Sequence, residues 1–286
     1  MVSGRSSHLQ DLGYESTTRD FGINMSSNDI SPIMHDPKTQ SGADVDARYE
    51  LENYFNHSSG STTEKLENFA KYVPRQNLAR FLGRYEMFKL IQDVQGSIVE
   101  CGVLFGGGLL TFAKLSTILE PYNFQRRIIG FDTFTGFPEV TEEDLNGTSE
   151  RKSSHLKKQG LAAENAYEDI LKSIEIFDMT RFLNHFPKVE LIKGDFTQTA
   201  PEYLQAHPHL VVSLLYLDFD LYAPTKKALE LLLPRIPKGG LVVFDEFNDE
   251  AFPGETVATM EMLQLNQWRI HRFAFEPRMS YAIVGD

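Results

Sequence analysis

Two short apolar runs that each end abruptly in acidic residues constrain the fold of this 286-residue chain more than any other feature. The first, at 215–222, contains Asp218 and Asp220, and the second, at 241–246, ends in Asp245 and Glu246. Apolar runs of this length, bounded by turn or helix signals, indicate buried strands of a parallel sheet. In open α/β sheets the ligand lies beyond the carboxyl ends of the strands, so we expect all four carboxylates at that edge.

Carboxylates gathered at one edge repel one another unless a cation lies between them. A hard divalent cation with oxygen ligands resolves the conflict, and Mg²⁺ is the ion that these residue types favour. The alternative is that the acids only cap helices or pair with arginine and lysine side chains.

Composition limits the partners of the chain. The formal net charge of −12 argues against binding nucleic acid or an anionic membrane through net charge, and no apolar run is long enough to predict a transmembrane helix. The single cysteine, Cys101, excludes an intrachain disulfide and is typical of a reducing compartment. The first ten residues lack the features of a secretory signal, so we expect a cytoplasmic location.

The chain divides into three regions by composition and periodicity. Residues 1–60 are rich in Ser, Asn, Asp and Gly, which predicts a flexible polar extension; an ordered cover for an active site or a dimer partner is the alternative. Apolar residues at helical spacing predict an N-terminal helical cap over 61–95. The region 96–286 alternates strands and helices, and its long polar connection at 133–160 predicts a lid.

That alternation predicts a doubly wound, mostly parallel sheet with right-handed crossovers. The predicted strands are 97–101, 127–132, 189–194, 211–218, 240–246, 269–275 and 281–284. The predicted helices between them are 106–119, 161–185, 201–206, 224–233 and 256–264. The last two strands are separated by a short link that contains Glu276-Pro277-Arg278, and a link this short is compatible only with an antiparallel hairpin. A seven-stranded α/β sheet with such a C-terminal hairpin is typical of class I methyltransferases, whereas dinucleotide-binding domains usually lack the hairpin.

The first predicted strand runs into a glycine turn with the sequence Glu100-Cys101-Gly102-Val103-Leu104-Phe105-Gly106. The glycines let the backbone turn tightly and approach a ligand closely. An acid just before the first glycine does not suit a pyrophosphate, but it suits a ligand with an ammonium group, such as the methionyl part of S-adenosylmethionine. The alternative is a purely structural junction between strand and helix.

Acids also end the next two predicted strands. Asp132 is placed to accept hydrogen bonds from ribose hydroxyls. In Gly194-Asp195-Phe196, Asp195 is placed to accept from an adenine amino group and Phe196 to pack on the adenine ring. The alternative for Asp195 is a helix N-cap.

Five motifs then occur together in a fixed order. They are Glu-Cys-Gly-Val at 100–103, Phe-Asp-Thr-Phe-Thr-Gly-Phe-Pro at 131–138, Lys-Gly-Asp-Phe at 193–196, Leu-Asp-Phe-Asp-Leu-Tyr-Ala-Pro-Thr at 217–225 and Phe-Asp-Glu-Phe at 244–247. In this order and spacing, the chain resembles the macrocin O-methyltransferase (TylF-like) family of Mg²⁺-dependent sugar methyltransferases from antibiotic pathways. The resemblance covers roughly residues 65–286.

The resemblance implies a role for each matching position. The residues implied to bind the methionyl end of S-adenosylmethionine are Glu100, Cys101, Gly102, Val103 and Leu104. Those implied to surround its ribose and adenine are Asp132, Thr133, Phe134, Thr135 and Gly136, with Asp195 and Phe196 at the adenine. Tyr72 and Val73 match a segment that closes over the cofactor in the family. The implied metal ligands are Asp218, Asp245 and Glu246. Family members usually carry Asp-Asp at the last pair, so Glu246, longer by one methylene, departs from the pattern.

The implied reaction is methyl transfer to a hydroxyl of a small-molecule, sugar-containing acceptor. A bound Mg²⁺ lowers the pKa of such a hydroxyl and fixes its direction, and Asp220 accepts the proton. His155, in the predicted lid, is the alternative base. We also expect a homo-oligomer, in the first instance a dimer.

Three other functions remain as alternatives. A metal-dependent methyltransferase acting on a catechol-like molecule shares the same chemistry. An NAD(P)-dependent oxidoreductase uses a similar sheet, but Glu100 before the glycine turn and the acids at 218 and 245 argue against it. A binding module without turnover is disfavoured by the intact set of acids.

Overall fold

The computed structural model describes residues 36, 38, 40–147 and 150–286, and within them one sheet holds every strand. The strands are β1 (Ser97–Cys101), β2 (Ile128–Asp132), β3 (Val189–Lys193), β4 (Val212–Leu217), β5 (Leu241–Phe244), β6 (His271–Phe273) and β7 (Glu276–Ile283). Their order across the sheet is β3-β2-β1-β4-β5-β7-β6. The first five are parallel and β7 is antiparallel to both of its neighbours. The strand order reverses between β1 and β4, which is where such sheets bind ligands.

Helices cover both faces of the sheet. In the described residues they are α1 (Gly42–His57), α2 (Thr62–Glu67), α3 (Arg75–Leu90), α4 (Gly107–Leu119), α5 (Glu142–Leu145), α6 (Ala166–Asp178), α7 (Phe196–Ala206), α8 (Tyr222–Leu232) and α9 (Pro253–Met262). None of the helices found in this part of the chain has the length and apolar character needed to cross a membrane.

The central strands are buried because helices pack on both of their faces. Along β1, Ile98 faces a core shared with Phe112 of α4, whereas the next residue, Val99, faces a second core shared with Leu229 of α8. Every residue of β1, β4 and β5 is buried, which explains why these segments read as continuous apolar runs. The two-sided burial predicted from the sequence is therefore present.

The C-terminal hairpin is antiparallel, as predicted, but its turn lies earlier than expected. Glu276-Pro277-Arg278, predicted to be the link, forms the start of β7, and Phe273 pairs directly with Glu276. The pairing register shifts between Arg272 and Phe273, and proline is tolerated in a strand beside such an irregularity. The long β7 gains its length from pairing with both β5 and β6.

Several helix boundaries differ from the predictions, and side-chain capping explains two of the differences. Helix α7 begins at Phe196 rather than near Pro201, because Asp195 accepts a hydrogen bond from the N–H of Thr197. Helix α6 ends at Asp178 rather than near His185. A further helix, α1, lies within the predicted extension 1–60, where Ser41 and Asp44 form a reciprocal capping box at its start. Residues 1–35 lie outside the described part, so the flexibility expected there stays a prediction.

The described residues of the 133–160 segment pack against the loops that follow β4 and β5. Phe137 and Leu156 share a small apolar cluster with Leu221 and Phe252. The buried carboxylate of Asp144 accepts hydrogen bonds from the N–H groups of Thr141 and Tyr222. The segment thus lies beside the edge of the sheet where the acidic residues gather, and its action as a lid stays a prediction.

Candidate active site

The glycine turn after β1 touches the acidic loop after β4. Gly102 has φ of 91°, and a side chain there would place its Cβ only 1.8 Å from the carbonyl oxygen of Asp218. The N–H of Asp218 in turn donates to the carbonyl of Cys101 at 2.8 Å. Only glycine permits this approach. Gly102, predicted to face the cofactor, and Asp218, predicted to bind the metal, are therefore in contact.

Asp132, predicted to bind a ribose, shapes the glycine turn as well. Its Oδ2 accepts hydrogen bonds from the N–H groups of Val103 at 2.7 Å and Leu104 at 2.8 Å, and its Oδ1 accepts from the N–H of Phe134 at 2.6 Å. Leu104 and Phe134 both have positive φ, of 49° and 59°. The carboxylate therefore holds two strained backbone positions in place, while Oδ1, which accepts a single hydrogen bond, retains a lone pair for a ligand.

The residues after Asp132 form a closed turn. The hydroxyl of Thr133 donates to the carbonyl of Gly136 at 2.7 Å and accepts from the N–H of Thr135 at 3.3 Å. Gly136 has φ of 81°, which L-residues with side chains seldom adopt. The turn thus presents a rigid backbone beside the cofactor edge of the sheet.

Glu100 is buried beneath the glycine turn, against α4. Its Oε1 lies 3.4 Å from Nη2 of Arg84, and its Oε2 is buried without a hydrogen-bond partner. Burial raises the pKa of Glu100 to about 7, and the Arg84 guanidinium opposes that rise. The unpaired oxygen leaves this carboxylate able to accept from a further donor, which is the property expected of a residue near an ammonium group.

Asp195 and Phe196 occupy different environments. The Oδ1 of Asp195 accepts hydrogen bonds from both the N–H and the hydroxyl of Thr197 at 2.8 Å. The residue is therefore an N-cap of α7, which was the alternative to a contact with adenine. Phe196 is only 2% exposed and packs edge-on against Phe131 and Phe219. A core position explains Phe196 without a ligand, and contact of either residue with adenine stays a prediction.

Tyr72 and Val73 lie against α1. The hydroxyl of Tyr72 is 3.1 Å from Oγ of Ser58, and its ring packs against those of Tyr54 and Phe55. Val73 is half-buried beside it. These contacts link the start of the helical cap to the N-terminal helix, and closure over the cofactor stays a prediction.

The acidic residues after β4 and β5 meet cations that the sequence did not assign to them. Arg80 of α3 binds both oxygens of Asp245 through Nη2, and the same nitrogen is 3.9 Å from Oδ2 of Asp218. Asp245 also accepts from the Tyr216 hydroxyl at 2.5 Å. Asp218 and Asp245 are therefore brought together, as predicted, but with a guanidinium between them.

Glu246 points toward a different cation. Both of its oxygens are 2.7 Å from Nη2 of Arg278 in β7, and its backbone N–H donates to Oε1 of Glu255 at 2.9 Å. The second oxygen of Glu255 is buried without a partner. Asp220 is also buried, and its backbone has φ of 62°. The cluster thus contains a fifth carboxylate, Glu255, that the sequence did not reveal.

The pKa values show for which carboxylates the neighbouring cations fail to offset the effect of burial. Burial and then the charge of Asp245 raise the pKa of Asp218 well above its ordinary value and that of Asp220 to about 7. Burial likewise raises the pKa of Glu246 and of Glu255. Burial alone would raise the pKa of Asp245 as well, but Arg80, Arg84 and the Tyr216 hydroxyl hold it below its ordinary value. Asp245 is therefore the member of this cluster whose charged form the neighbouring cations favour, and for the other four burial outweighs them.

The oxygen donors fit a hard divalent cation, but their present arrangement does not form a finished site. In the described part of the chain, no three His, Cys, Asp or Glu side chains are grouped so that they could hold an ion. Asp245 is paired with Arg80, and Glu246 is paired with Arg278. The excess of buried carboxylates over guanidiniums, together with the donor type, is what suits Mg²⁺ here.

Three arginines complete the site, and the sequence offered a signal for two of them. Arg80 and Arg84 are one helical turn apart on α3, so they share a face that points toward the sheet. Arg278 lies in the segment that the sequence assigned to a link. His155, the alternative base, lies in the 133–160 segment with its Nε2 buried and without a hydrogen-bond partner.

The strand order, the antiparallel C-terminal strands and the glycine turn beside an acidic edge define a class I methyltransferase. The family model described as macrocin O-methyltransferase (TylF) matches residues 61–264, and the chain belongs to that family. Its relatives are named O-methyltransferases, so the chain is an S-adenosylmethionine-dependent O-methyltransferase and not an NAD(P)-dependent oxidoreductase.

Solved structures and curated relatives agree with this assignment. A crystal structure of CalS11, a calicheamicin methyltransferase, is 34% identical, covers 86% of this chain and 95% of its own, and has a TM-score of 0.80. Demethyldecarbamoylnovobiocin O-methyltransferase of Streptomyces niveus is 25% identical over 68% of this chain and 71% of its own length. A rhamnosyl-tetracenomycin 4'-O-methyltransferase of Streptomyces olivaceus is 29% identical over 57% of each chain.

Proposed function

We propose that this enzyme methylates a hydroxyl of a sugar, either attached to a natural product or carried by a nucleotide. The support comes from relatives named for such acceptors. A second structure of CalS11, 31% identical to this chain, is titled a TDP-rhamnose 3'-O-methyltransferase, and the Streptomyces olivaceus relative is named for a rhamnosyl group. The resemblance inferred from the sequence motifs points to the same acceptor class.

The observation that carries the proposal is the contact between Gly102 and Asp218. The methionyl end of the cofactor is expected at the glycine turn. The carbonyl oxygen of Asp218 lies so close to this turn that a Cβ on Gly102 would be only 1.8 Å from it. The acidic edge is therefore adjacent to the point from which a methyl group would leave. S-adenosylmethionine supplies the methyl group and its own leaving group, so the protein's task is to align an acceptor oxygen and remove its proton.

The residues of this edge divide into three roles in the proposal. Asp218, Asp245 and Glu246 would hold Mg²⁺, which would lower the pKa of the acceptor hydroxyl and fix its direction. Asp220 would accept the proton, because it is buried beside these acids without being one of the proposed ligands. On the cofactor side, the unpaired oxygen of Glu100 would face the ammonium group and Asp132 the ribose.

The 133–160 segment would bind the remainder of the acceptor and exclude water. It carries a cleft lined by Pro138, Val140, Leu145 and Leu156, with Lys157 and Lys158 beside them. Leu156 of this cleft shares an apolar cluster with Leu221, the residue after Asp220, and this contact supports an acceptor role for the cleft. A dimer and a cytoplasmic location remain part of the proposal.

Methyl transfer measured by mass spectrometry tests the proposal directly. The purified enzyme should methylate members of a panel of nucleotide sugars and glycosides in the presence of S-adenosylmethionine and Mg²⁺, and excess chelator should abolish the reaction. Catechols belong in the same panel, because methylation of a catechol alone would replace the sugar with the alternative acceptor. Full activity in chelator would remove the metal from the proposal and leave the methyltransferase standing.

A further inference from the structure

Arg80 occupies the space between the two strand-end carboxylates that are best placed to share a cation. Its Nη2 contacts both oxygens of Asp245 and lies 3.9 Å from Oδ2 of Asp218. A guanidinium bound to both oxygens of a carboxylate occupies a lone-pair site on each and places its positive charge where an ion would bind. Arg80 and a divalent cation therefore compete for the same carboxylate oxygens.

The position of Arg80 differs from that of its neighbour one turn along α3. The side chain of Arg84 is 9% exposed, lies 3.4 Å from Glu100, and has its guanidinium carbon 4.6 Å above the Tyr216 ring. The side chain of Arg80 is 31% exposed and touches solvent. Arg84 is thus almost enclosed, whereas about a third of the Arg80 side chain already faces solvent.

The charges of the cluster also favour exchange. Asp218, Asp220, Asp245, Glu246 and Glu255 contribute five carboxylates at this edge, while Arg80 and Arg278 are the guanidiniums bound to them in the described residues. A guanidinium carries one charge and a divalent cation carries two. A divalent ion in place of Arg80 would therefore offset more of the charge of the ionised carboxylates. The Tyr216 hydroxyl donates to Asp245 from β4 and does not depend on Arg80 for its position.

We infer that Arg80 is an internal counter-ion of the metal site, which stabilises Asp245 while no metal is bound and swings out to solvent when a divalent cation binds to Asp218 and Asp245. This inference rests on the proposed Mg²⁺ dependence. It explains why the acids lie together without a finished metal site: the arginine holds the site in its metal-free form.

The first test measures metal affinity without any turnover. Full-length wild type and Arg80→Gln are titrated with Mg²⁺ and with Mn²⁺ by calorimetry, in the absence of cofactor and acceptor. Arg80→Gln should bind at least about tenfold more tightly, because the fraction of molecules with Asp245 free multiplies the apparent affinity. Arg75→Gln is the matched control, since Arg75 is exposed on the same helix and its loss changes the net charge equally.

The outcomes separate the inference from the proposed function. If wild type binds the metal and Arg80→Gln binds no more tightly than Arg75→Gln, the inference is wrong and the Mg²⁺ site stands. If none of the proteins binds a divalent cation, the inference is overturned, and the proposed Mg²⁺ dependence falls with it only if methyl transfer also survives chelator.

A second measurement uses the wild type alone, in case Arg80→Gln does not fold. Phenylglyoxal modifies accessible arginines, and mass spectrometry reports the rate at each site. Saturating Mg²⁺ should increase the modification rate of Arg80 and leave that of Arg75 unchanged. An unchanged or slower rate at Arg80 under conditions where calorimetry shows bound metal would overturn the inference.

Discussion

The hydroxyl of Tyr216 donates a 2.5 Å hydrogen bond to Oδ1 of Asp245, and both residues are buried. Tyr216 lies within β4 and Asp245 directly follows β5, so the bond joins neighbouring strands just below the acidic edge. Burial raises the pKa of Tyr216 well above its ordinary value, so the hydroxyl remains a proton donor. Tyr216, a core residue of β4, thus orients Asp245 at the end of the neighbouring strand β5.

Tyr216→Phe should therefore destabilise the fold by about 1–3 kcal/mol, the usual effect of removing a hydrogen bond to a buried charged group. Urea unfolding measures the loss. Tyr222→Phe is the control, because that hydroxyl contacts Glu261 at the surface and its removal should change the free energy of unfolding by no more than about 0.5 kcal/mol. Equal stability of the two variants would show that the buried bond contributes little.

Two adjacent glycines of α4 should respond in opposite directions to alanine. A Cβ on Gly108 would lie 1.9 Å from Oε1 of Glu100 and 2.7 Å from Nη2 of Arg84, whereas nothing lies within 4 Å of one on Gly107. Gly108→Ala should cost about 1–3 kcal/mol through overpacking. Gly107→Ala should stabilise the helix by about 0.5–1 kcal/mol. Thermal and urea unfolding of the pair measure the contrast, and a Gly108→Ala protein as stable as Gly107→Ala would contradict the buried position of Glu100.

Asp220→Asn should separate proton transfer from metal binding. Asparagine tolerates the φ of 62° at this position, so the backbone is preserved. Turnover should fall about 10²–10⁴-fold, the contribution of a general base, while calorimetry shows that metal and cofactor affinities persist. Asp249→Asn, a nearby acid that pairs with Arg278, should keep most of the turnover. Normal turnover of Asp220→Asn would transfer the role of base to His155 or to water.

Asp144→Ala should loosen the 133–160 segment. The carboxylate is fully buried and accepts the N–H groups of Thr141 and Tyr222, at 2.8 and 2.7 Å. Loss of hydrogen bonds to a charged group, worth about 1.5–3 kcal/mol each, should accelerate hydrogen exchange across residues 133–160 and raise KM for the acceptor. Glu142→Ala, an exposed change on the same helix, should leave the exchange rates unaltered. Unchanged exchange in Asp144→Ala would show that the apolar cluster alone holds the segment.

Stability should depend on pH through Lys188, which is 4% exposed and donates to the carbonyl of Asn123 at 2.7 Å. Burial lowers the pKa of Lys188 to about 8. The unfolded chain, with a lysine pKa of about 10.4, binds more protons than the folded chain between those values. The free energy of unfolding should therefore gain about 1–3 kcal/mol from this residue as pH rises from about 8 to about 10.

Urea unfolding at both pH values measures this gain as the difference between wild type and Lys188→Met, so that other titrating groups cancel. The difference should grow with pH for Lys188→Met and stay constant for Lys114→Met, whose side chain is exposed. A constant difference for Lys188→Met would mean that the lysine remains charged in the folded protein.

Local patterns in the sequence determined the sheet, the positions of its five parallel strands and the acids at their ends, but not the turn of the C-terminal hairpin. Continuous apolar runs require burial on both faces, and a link too short for a crossover requires an antiparallel hairpin, so no tertiary information was needed for either. The glycine turn was equally visible, because a strand that must bend sharply before a helix has few other residues available.

Tertiary structure alone decided what surrounds the acids. Arg80 and Asp245 are 165 residues apart in the chain, and nothing local to α3 indicates that its inward face meets the end of β5. In the sequence, Glu255 resembles an ordinary acid in the first turn of a helix, and nothing local indicates that it is buried beside Glu246. Phe196 could stack on a ligand as far as the sequence shows, but in the fold Phe131 and Phe219 enclose it. The sequence determined the four carboxylates that follow β4 and β5, because strand ends are local. Glu255 and the arginines join them only because the fold brings distant parts of the chain within reach.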